Sequence, residues 1–214
     1  MKRKDVLAAL ADLAGEDPAG RQAAIAVLES MPRGFLEDHL LPRKKVAPYI
    51  PKLAQLLGAD VPTIIKKWCA QLIGESGIQS AELLDSLIRA LKIKDDGVLV
   101  SAIWPIAGYR EKAMPAVNAL VRHTAHPNRE VRWRAVWALE AIRPVGQHYA
   151  EMFAKLFDDG DYLVRGYAVL GFISVATPSP WAIAQLKRAA KDEDDMPRIH
   201  AQRALKQWAK EGRG

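Results

Sequence analysis

Three tryptophans and one glutamate in the middle of the chain have the residue types and the spacing of a binding site. Trp133 and Trp137 are four residues apart, so on a helix they share a face, and Glu140 follows about one turn later. Trp104 is equivalent to Trp137 if the chain is built of repeats of about 33 residues. Exposed indoles anchor protein segments or stack on nucleic-acid bases, and we expect a ligand of one of these two kinds.

The same tryptophans also have a purely structural interpretation. Tryptophan is highly buried on average, and one or more of these indoles would then rotate into the contact between neighbouring helices. The two interpretations differ in whether the indoles are exposed to solvent, and the sequence leaves both open.

Basic residues accompany this aromatic centre. Arg134 lies between two of the tryptophans, Lys67 lies far upstream, and Arg203 and Lys206 lie near the C-terminal end. The formal net charge is +6, and its excess lies in residues 108–214, which hold 17 basic and 12 acidic groups against 14 and 13 in the preceding half. This balance is compatible with an acidic partner such as nucleic acid, although a solvated helical surface would show the same counts.

No combination of residues in the sequence predicts catalysis, a metal site or a cofactor. Cys69 has no neighbouring histidine in sequence and falls at an apolar helical position, so we expect a buried thiol. His123 and His126 form a single pair before a proline. The glycine-rich phosphate loop, the dinucleotide fingerprint and the nucleophile elbow are all absent from the sequence. We expect no catalytic residue, no metal and no cofactor, and we favour a protein without enzymatic activity.

Composition predicts a globular cytoplasmic protein without a membrane segment. Half of the 214 residues are apolar, which is enough for a sizeable core. A single cysteine cannot form an intrachain disulfide, and the N-terminal sequence MKRKDVLAAL continues into helical, charged sequence rather than an apolar signal core. The longest stretch without a charge, residues 166–186, is interrupted by Pro178 and Pro180.

A repeat of about 33 residues organises the chain, and its length is constant. It is marked by the evenly spaced Arg132, Arg165 and Arg198, each followed by small residues three and six positions later and by large apolar residues seven and ten positions later. At these four offsets stand Ala135, Ala138, Leu139 and Ile142, then Ala168, Gly171, Phe172 and Val175, then Ala201, Ala204, Leu205 and Trp208. They form one helical face on which the small residues let a neighbouring helix approach closely. Residues typical of helix N-caps stand four positions before each arginine: Asn128, Asp161 and Asp194.

The same period extends back to Leu99 and Lys66, which gives five units. Each of these helices is preceded by another amphipathic one, and the predicted ranges are 46–57, 79–91, 111–123, 146–157 and 180–190. Two helices in every repeat predict an all-α fold, a right-handed α-solenoid of about five to six helix pairs. We expect a single domain over residues 1–214, with an irregular N-terminal helical cap at 1–43 and regular repeats at 44–210.

The second helices resemble those of the HEAT-like repeat family. The resemblance rests on an Asp or Asn, then Val-Arg, then Ala-x-x-Ala-Leu, as in HPNREVRWRAVWALEAI and DYLVRGYAVLGFI, and it covers roughly residues 44–210. It implies a solenoid whose second helices line a concave surface. One, five and eight positions after each repeat residue should face that surface, and Lys67, Trp104, Trp133, Trp137, Glu140, Arg203 and Lys206 occupy such positions. We therefore expect a scaffold that binds a protein partner there, with the three indoles as its anchor.

A weaker resemblance supports the alternative, DNA binding. The run SAIWPIAG, followed by a helix and HPNREVRWRAVWAL, is similar to a segment of the HEAT-like alkylpurine DNA glycosylases. The resemblance implies a catalytic aspartate where this chain has Val100 and a DNA-contacting arginine matching Arg134 or Arg132. Valine cannot stabilise an oxocarbenium-like sugar or activate water. The alternative is therefore a DNA-binding protein that is either catalytically silent or acts through another carboxylate.

Overall fold

Helices, turns and short connections make up all of the chain that the structure, a computed structural model, describes: residues 3–15, 17–30, 43–210 and 212. In chain order the α-helices are α1 Arg3–Ala14, α2 Pro18–Glu29, α3 Arg43–Val46, α4 Ile50–Gly58, α5 Thr63–Ser76, α6 Ala81–Ala90, α7 Asp96–Gly108, α8 Val117–His123, α9 Arg129–Ile142, α10 Gln147–Lys155, α11 Tyr162–Val175, α12 Pro180–Ala189 and α13 Asp195–Lys210. Short 3₁₀ segments cover Ala47–Tyr49, Arg110–Ala116 and Leu156–Asp158. The predicted all-α helical-repeat class is confirmed.

The second helices of the pairs begin at a constant interval. The helices α5, α7, α9, α11 and α13 start at positions 63, 96, 129, 162 and 195, so each start follows the one before it by the same repeat period. The first helices, α4, α6, α8, α10 and α12, lie within or close to the predicted ranges. The third of them departs from a continuous α-helix, because its first part is the 3₁₀ segment Arg110–Ala116, which contains Pro115. Proline lacks the N–H that an α-helix requires in its interior.

The chain forms two compact units, Met1–Ile106 and Ala107–Gly214. In the first unit α1 packs on α2, and α4 packs on both α5 and α6. Residues 31–42 of the predicted N-terminal cap lie outside the described residues. The single domain over residues 1–214 stays a prediction.

In the second unit, neighbouring second helices pack directly on one another. The helix α11 contacts α9 on one side and α13 on the other, while the first helices α10 and α12 pack against α11 and α13. The contact between α10 and α11 is close at Gly171, one of the predicted small positions. A Cβ atom added to Gly171 would stand 2.5 Å from the ring of Phe153, which is fully buried on α10.

Two of the predicted N-cap residues cap their helices through side-chain hydrogen bonds. Asn128 Oδ1 accepts a hydrogen bond from Glu130 N at 2.8 Å, and Asp161 Oδ1 accepts one from Leu163 N at 2.9 Å. These bonds satisfy backbone donors that a helix leaves free at its first turn. Asp194, the predicted cap of α13, has a different partner: its carboxylate accepts a hydrogen bond from the guanidinium of Arg165 at 2.6 Å.

Candidate functional site

An aromatic surface lies on the second helices α9 and α11. We define it as Trp133, Trp137 and Tyr167. The rings of Trp133 and Tyr167 stack with centroids 5.9 Å apart and an angle of 18° between their planes. Trp137 lies one helical turn from Trp133, and all three side chains are half-buried. They present part of their apolar area to solvent, and the stack holds two of the rings in fixed positions.

A cation covers part of this aromatic surface. The guanidinium of Arg134 lies 4.7 Å from the ring centroid of Trp133, within the range of a cation–π interaction. The same guanidinium donates to Glu130 Oε1 at 2.9 Å, one turn earlier on α9. Arg134 is therefore engaged on both sides, by a ring and by a carboxylate.

The interpretation of the tryptophans as residues of the contact between neighbouring helices applies to Trp133. Trp133 does lie in the contact between two neighbouring second helices, where it meets Tyr167. Trp104 belongs to the first unit, where it lies against Gly74 and keeps 42% of its surface exposed. A Cβ atom on Gly74 would stand 2.6 Å from the Trp104 ring, so only glycine allows this approach. The predicted cluster of three indoles stays a prediction.

Glu140 is half-buried near the C-terminal end of α9. Desolvation raises the pKa of its carboxyl group, and the positive charges of Arg143 and Arg110 oppose that shift without cancelling it. The two arginines were not among the residues identified from the sequence. They make the surroundings of Glu140 basic.

Arg110 and Arg143 share an uncommon backbone conformation. Their φ angles are +54° and +55°, in the left-handed region, and they stand one repeat period apart at the ends of successive second helices. Gly77, one period before Arg110, has φ +66°. A left-handed residue commonly ends a helix, and glycine occupies that position at the least steric cost. Two repeats thus carry an exposed arginine where the backbone favours glycine.

Replacing Arg143 should show how much the left-handed backbone conformation lowers the free energy of unfolding. We expect Arg143→Gly to increase the free energy of unfolding by up to about 1 kcal/mol, because it removes the steric clash of a Cβ atom at positive φ. Arg143→Val should decrease it. Urea denaturation followed by circular dichroism checks both signs, and a loss of stability in the glycine variant would contradict the argument.

The repeat arginines form ion pairs between successive repeats. Arg132 donates from Nε and Nη2 to the carboxylate of Asp159 at 2.9 and 3.0 Å, which is a bidentate contact. Its Nη1 also donates to the carbonyl oxygens of His126 and Pro127, both at 3.0 Å. The guanidinium therefore ties the turn before its own helix to the turn before the next one.

Arg165 repeats this arrangement one period later. It donates to the carboxylate of Asp192 at 2.7 and 3.0 Å, to Asp194 at 2.6 Å and to the carbonyl oxygen of Asp159 at 2.8 Å. In both pairs the aspartate follows its arginine by 27 residues. Arg198 donates to backbone carbonyl groups of its own turn and pairs with Asp195. We call Arg132, Arg165, Arg198 and their aspartate partners the arginine ladder. Each guanidinium of the ladder is bonded to carboxylate and carbonyl oxygens of the protein.

The ladder also changes the ionisation of its members. Desolvation raises the pKa of Asp192, but hydrogen bonds from Arg165 and from the backbone N–H of Asp194, with the charges of Arg165 and Arg198, lower it by more. The net pKa of the Asp192 carboxyl group is therefore below its ordinary value. The hydrogen bond to Asp192 is the main reason that the pKa of Arg165 is raised.

The remaining basic residues identified from the sequence lie apart from these pairs. Lys67, in the first unit, has its ammonium group 5.5 Å from the ring of Trp68, and its alkyl chain lies beside Gly97. Arg203 and Lys206 are exposed on α13. Val100, where the glycosylase resemblance implied a catalytic aspartate, is half-buried on α7.

Cys69 is buried on α5, as predicted, and desolvation raises its thiol pKa to about 12. Within the described ranges, no three His, Cys, Asp or Glu side chains come together as a metal site. None of the helices in that part of the chain is long and apolar enough to cross a membrane.

No protein-family model and no curated protein matches the chain. Solved structures do match. An engineered protein has a TM-score of 0.68 at 20% identity, with 98% of both chains covered. A computationally designed armadillo repeat protein for modular peptide recognition has a TM-score of 0.65, and a designed armadillo repeat protein in complex with the peptide (KR)4 has 0.62. Each of the two is 19% identical, and the match covers 94% of this chain and 98% of theirs. At these identities the likeness establishes the fold alone, that of a helical-repeat protein, and it provides no support for the glycosylase relationship.

Proposed function

We propose that this protein is a non-enzymatic helical-repeat scaffold that binds an extended segment of a partner protein on its second helices. The observation that carries the proposal is the aromatic surface of Trp133, Trp137 and Tyr167, which is half-exposed and held by ring stacking across two helices. Tryptophan and tyrosine are the residues that most often dominate binding energy in protein interfaces. The designed armadillo repeat proteins of the same fold support this kind of ligand, because one was designed for peptide recognition and another holds a bound peptide.

The charges around the aromatic surface indicate the composition of that segment. Arg110 and Arg143 act on Glu140 from nearby, and Arg134 covers Trp133. We expect the partner to present aromatic or aliphatic side chains to the indoles and carboxylates to the arginines. This is the opposite of the basic (KR)4 peptide bound by one of the designed proteins.

Panning a 12-residue peptide library against the immobilised protein provides the test. Selected peptides should bind with an affinity that Trp137→Ala lowers at least about tenfold, the effect of losing an interface anchor. Fluorescence polarisation with labelled peptides measures this loss. Trp181→Ala is the matched control, because Trp181 is 37% exposed but lies on the first helix α12. Failure to select any peptide, or equal losses in the two variants, would contradict the proposal.

DNA binding is the alternative function, and the exposed Arg203 and Lys206 are the observation in its favour. Arg132 and Arg165 do not add to it, since both are bonded to aspartates. Fluorescence anisotropy with short single-stranded and double-stranded DNA over a salt series separates the two functions. Affinity that falls linearly with salt on logarithmic axes, and that Arg203→Ala weakens, would favour DNA over a protein segment.

A further inference from the structure

A cleft of about 600 Å³ lies between the first helices α4 and α6 in the first unit. Its apolar lining includes the buried side chains of Ile50, Ala54 and Leu83, and Ile78 adds an exposed apolar side chain from the turn before α6. The volume falls in the range of clefts that hold drug-sized ligands or a few inserted side chains. First helices form this cleft, so it is separate from the aromatic surface on the second helices of the other unit.

The polar groups of the cleft have an acidic balance. Glu82 and Asp85 are exposed among the lining residues, and Asp85 forms no ion pair with any residue in the described part of the chain. The cation of the lining, Arg89, donates to Ser86 Oγ at 2.9 Å. A hydrogen bond from its own backbone N–H, helped by one from Ser80, lowers the pKa of Glu82.

These charges oppose the balance of the whole molecule. The chain carries a formal net charge of +6, which favours acidic ligands in general. The cleft has an apolar floor, two exposed carboxylates and one exposed guanidinium, that of Arg89, so its net charge is negative and favours a ligand that is apolar and cationic. A segment of an amphipathic helix, with apolar side chains on one face and lysine or arginine beside them, has this combination and enters a groove between two helices.

We propose that the cleft between α4 and α6 is a second binding site, which takes an amphipathic basic segment of a partner protein. The segment inserts apolar side chains over Ala54 and Leu83 and places a lysine or arginine against Glu82 and Asp85. This basic segment is a different ligand from the one proposed for the aromatic surface, because the two sites have opposite charge and lie in different units.

Two synthetic 12-residue peptides test the site. In both, leucines recur at helical spacing; lysine fills the remaining positions in one and glutamate in the other. Titration into the ¹⁵N-labelled full chain should shift the backbone amides of Ile50–Gly58 and Ala81–Ala90 with the lysine peptide. The glutamate peptide should shift the same amides at least about tenfold more weakly at low salt.

Charge-reversal variants identify the carboxylates responsible. Glu82→Lys combined with Asp85→Lys should weaken the lysine peptide at least about tenfold. The matched control combines Glu111→Lys with Glu151→Lys, two exposed glutamates of the other unit, so that the net charge changes equally. The control should alter the affinity less than about twofold, because neither glutamate lines the cleft and exposed charges outside it are screened by salt. A third variant, Ala54→Leu, fills the floor without changing any charge and should also weaken binding.

The possible outcomes separate binding in the cleft from a general effect of charge. Loss of binding in the cleft variants, with the control unchanged, supports the site. Unmoved amides in α4 and α6, equal losses in both charge-reversal variants, or equal binding of the glutamate peptide would overturn it. Failure here leaves the aromatic surface untouched, because Trp137→Ala is assayed with different peptides.

Discussion

Arg165→Ala should lower the free energy of unfolding by about 3 kcal/mol, because it leaves the nearly buried carboxylate of Asp192 without its cation. The side chains of Arg165 and Asp192 are only 11% and 10% exposed, and Asp194 shares the same guanidinium. Urea denaturation at neutral pH measures the loss. Arg188→Ala is the matched control, since the Arg188 and Asp158 side chains are 47% and 67% exposed and such a pair contributes up to about 1 kcal/mol. Equal losses in the two variants would contradict a structural role for the ladder.

The same pair predicts how stability depends on pH. Because the pKa of Asp192 is lowered in the folded protein, its contribution is complete above the ordinary pKa of an aspartate, about 3.9. The contribution disappears as the pH falls from there through the lowered value. The difference in stability between the wild type and Asp192→Asn should therefore be constant from pH 7 to pH 5 and shrink in more acidic solution. A difference that grows on acidification would contradict this assignment.

Gly171→Ala should destabilise the protein by about 2 to 3 kcal/mol, although helix propensity alone predicts a gain of about 1 kcal/mol. The added Cβ atom would stand 2.5 Å from the Phe153 ring, which is fully buried and cannot move aside without disturbing the core. Gly58→Ala is the control, because nothing lies within 4 Å of a Cβ atom at that position. Its stability should stay equal or increase.

A double variant tests the cause of that loss. Phe153→Leu makes room at the same contact, so Gly171→Ala should cost less in its presence than in the wild type. Thermal and urea denaturation of the four proteins measure this coupling. Additive effects would mean that the ring of Phe153 is not the obstacle.

The repeat pattern was visible in the sequence because each element of it has a local physical cause. The side chains of Asn128 and Asp161 accept hydrogen bonds from backbone N–H groups of their own helix's first turn. Glycine is required at position 171 because a neighbouring helix lies close to it. These signals are short-range or periodic, so they were enough to predict where the second helices start. The 3₁₀ segment before α8 was missed, although Pro115 was a signal for it.

Less of the candidate sites could be predicted. Tyr167 lies two positions after its repeat arginine and Arg143 eleven after, outside the offsets that were expected to face a ligand. The contact of Tyr167 with Trp133 and the proximity of Arg110 to Glu140 depend on how neighbouring repeats pack, which no single repeat specifies. Arg143 follows Glu140 by three residues in the same repeat, and only its position outside the expected offsets kept it from being identified. One signal in the sequence was available for the two arginines. Gly77, Arg110 and Arg143 follow one another at intervals of one period, each at the end of a second helix, and such recurrence indicates a shared backbone conformation. The cleft between α4 and α6 has no residue motif of its own.

The arginine ladder makes the repeat period a unit of insertion and deletion. Residues 129–161 contain one arginine of the ladder, Arg132, and the one aspartate that pairs with it, Asp159, in the same order as the next repeat. A tandem copy of that segment would bring a new donor and a new acceptor, so every charge at both junctions would find a counterpart. Removing or adding a few residues would leave a guanidinium facing the wrong turn. Genes encoding this half of the chain can therefore lengthen by duplication of whole repeats far more readily than by smaller steps.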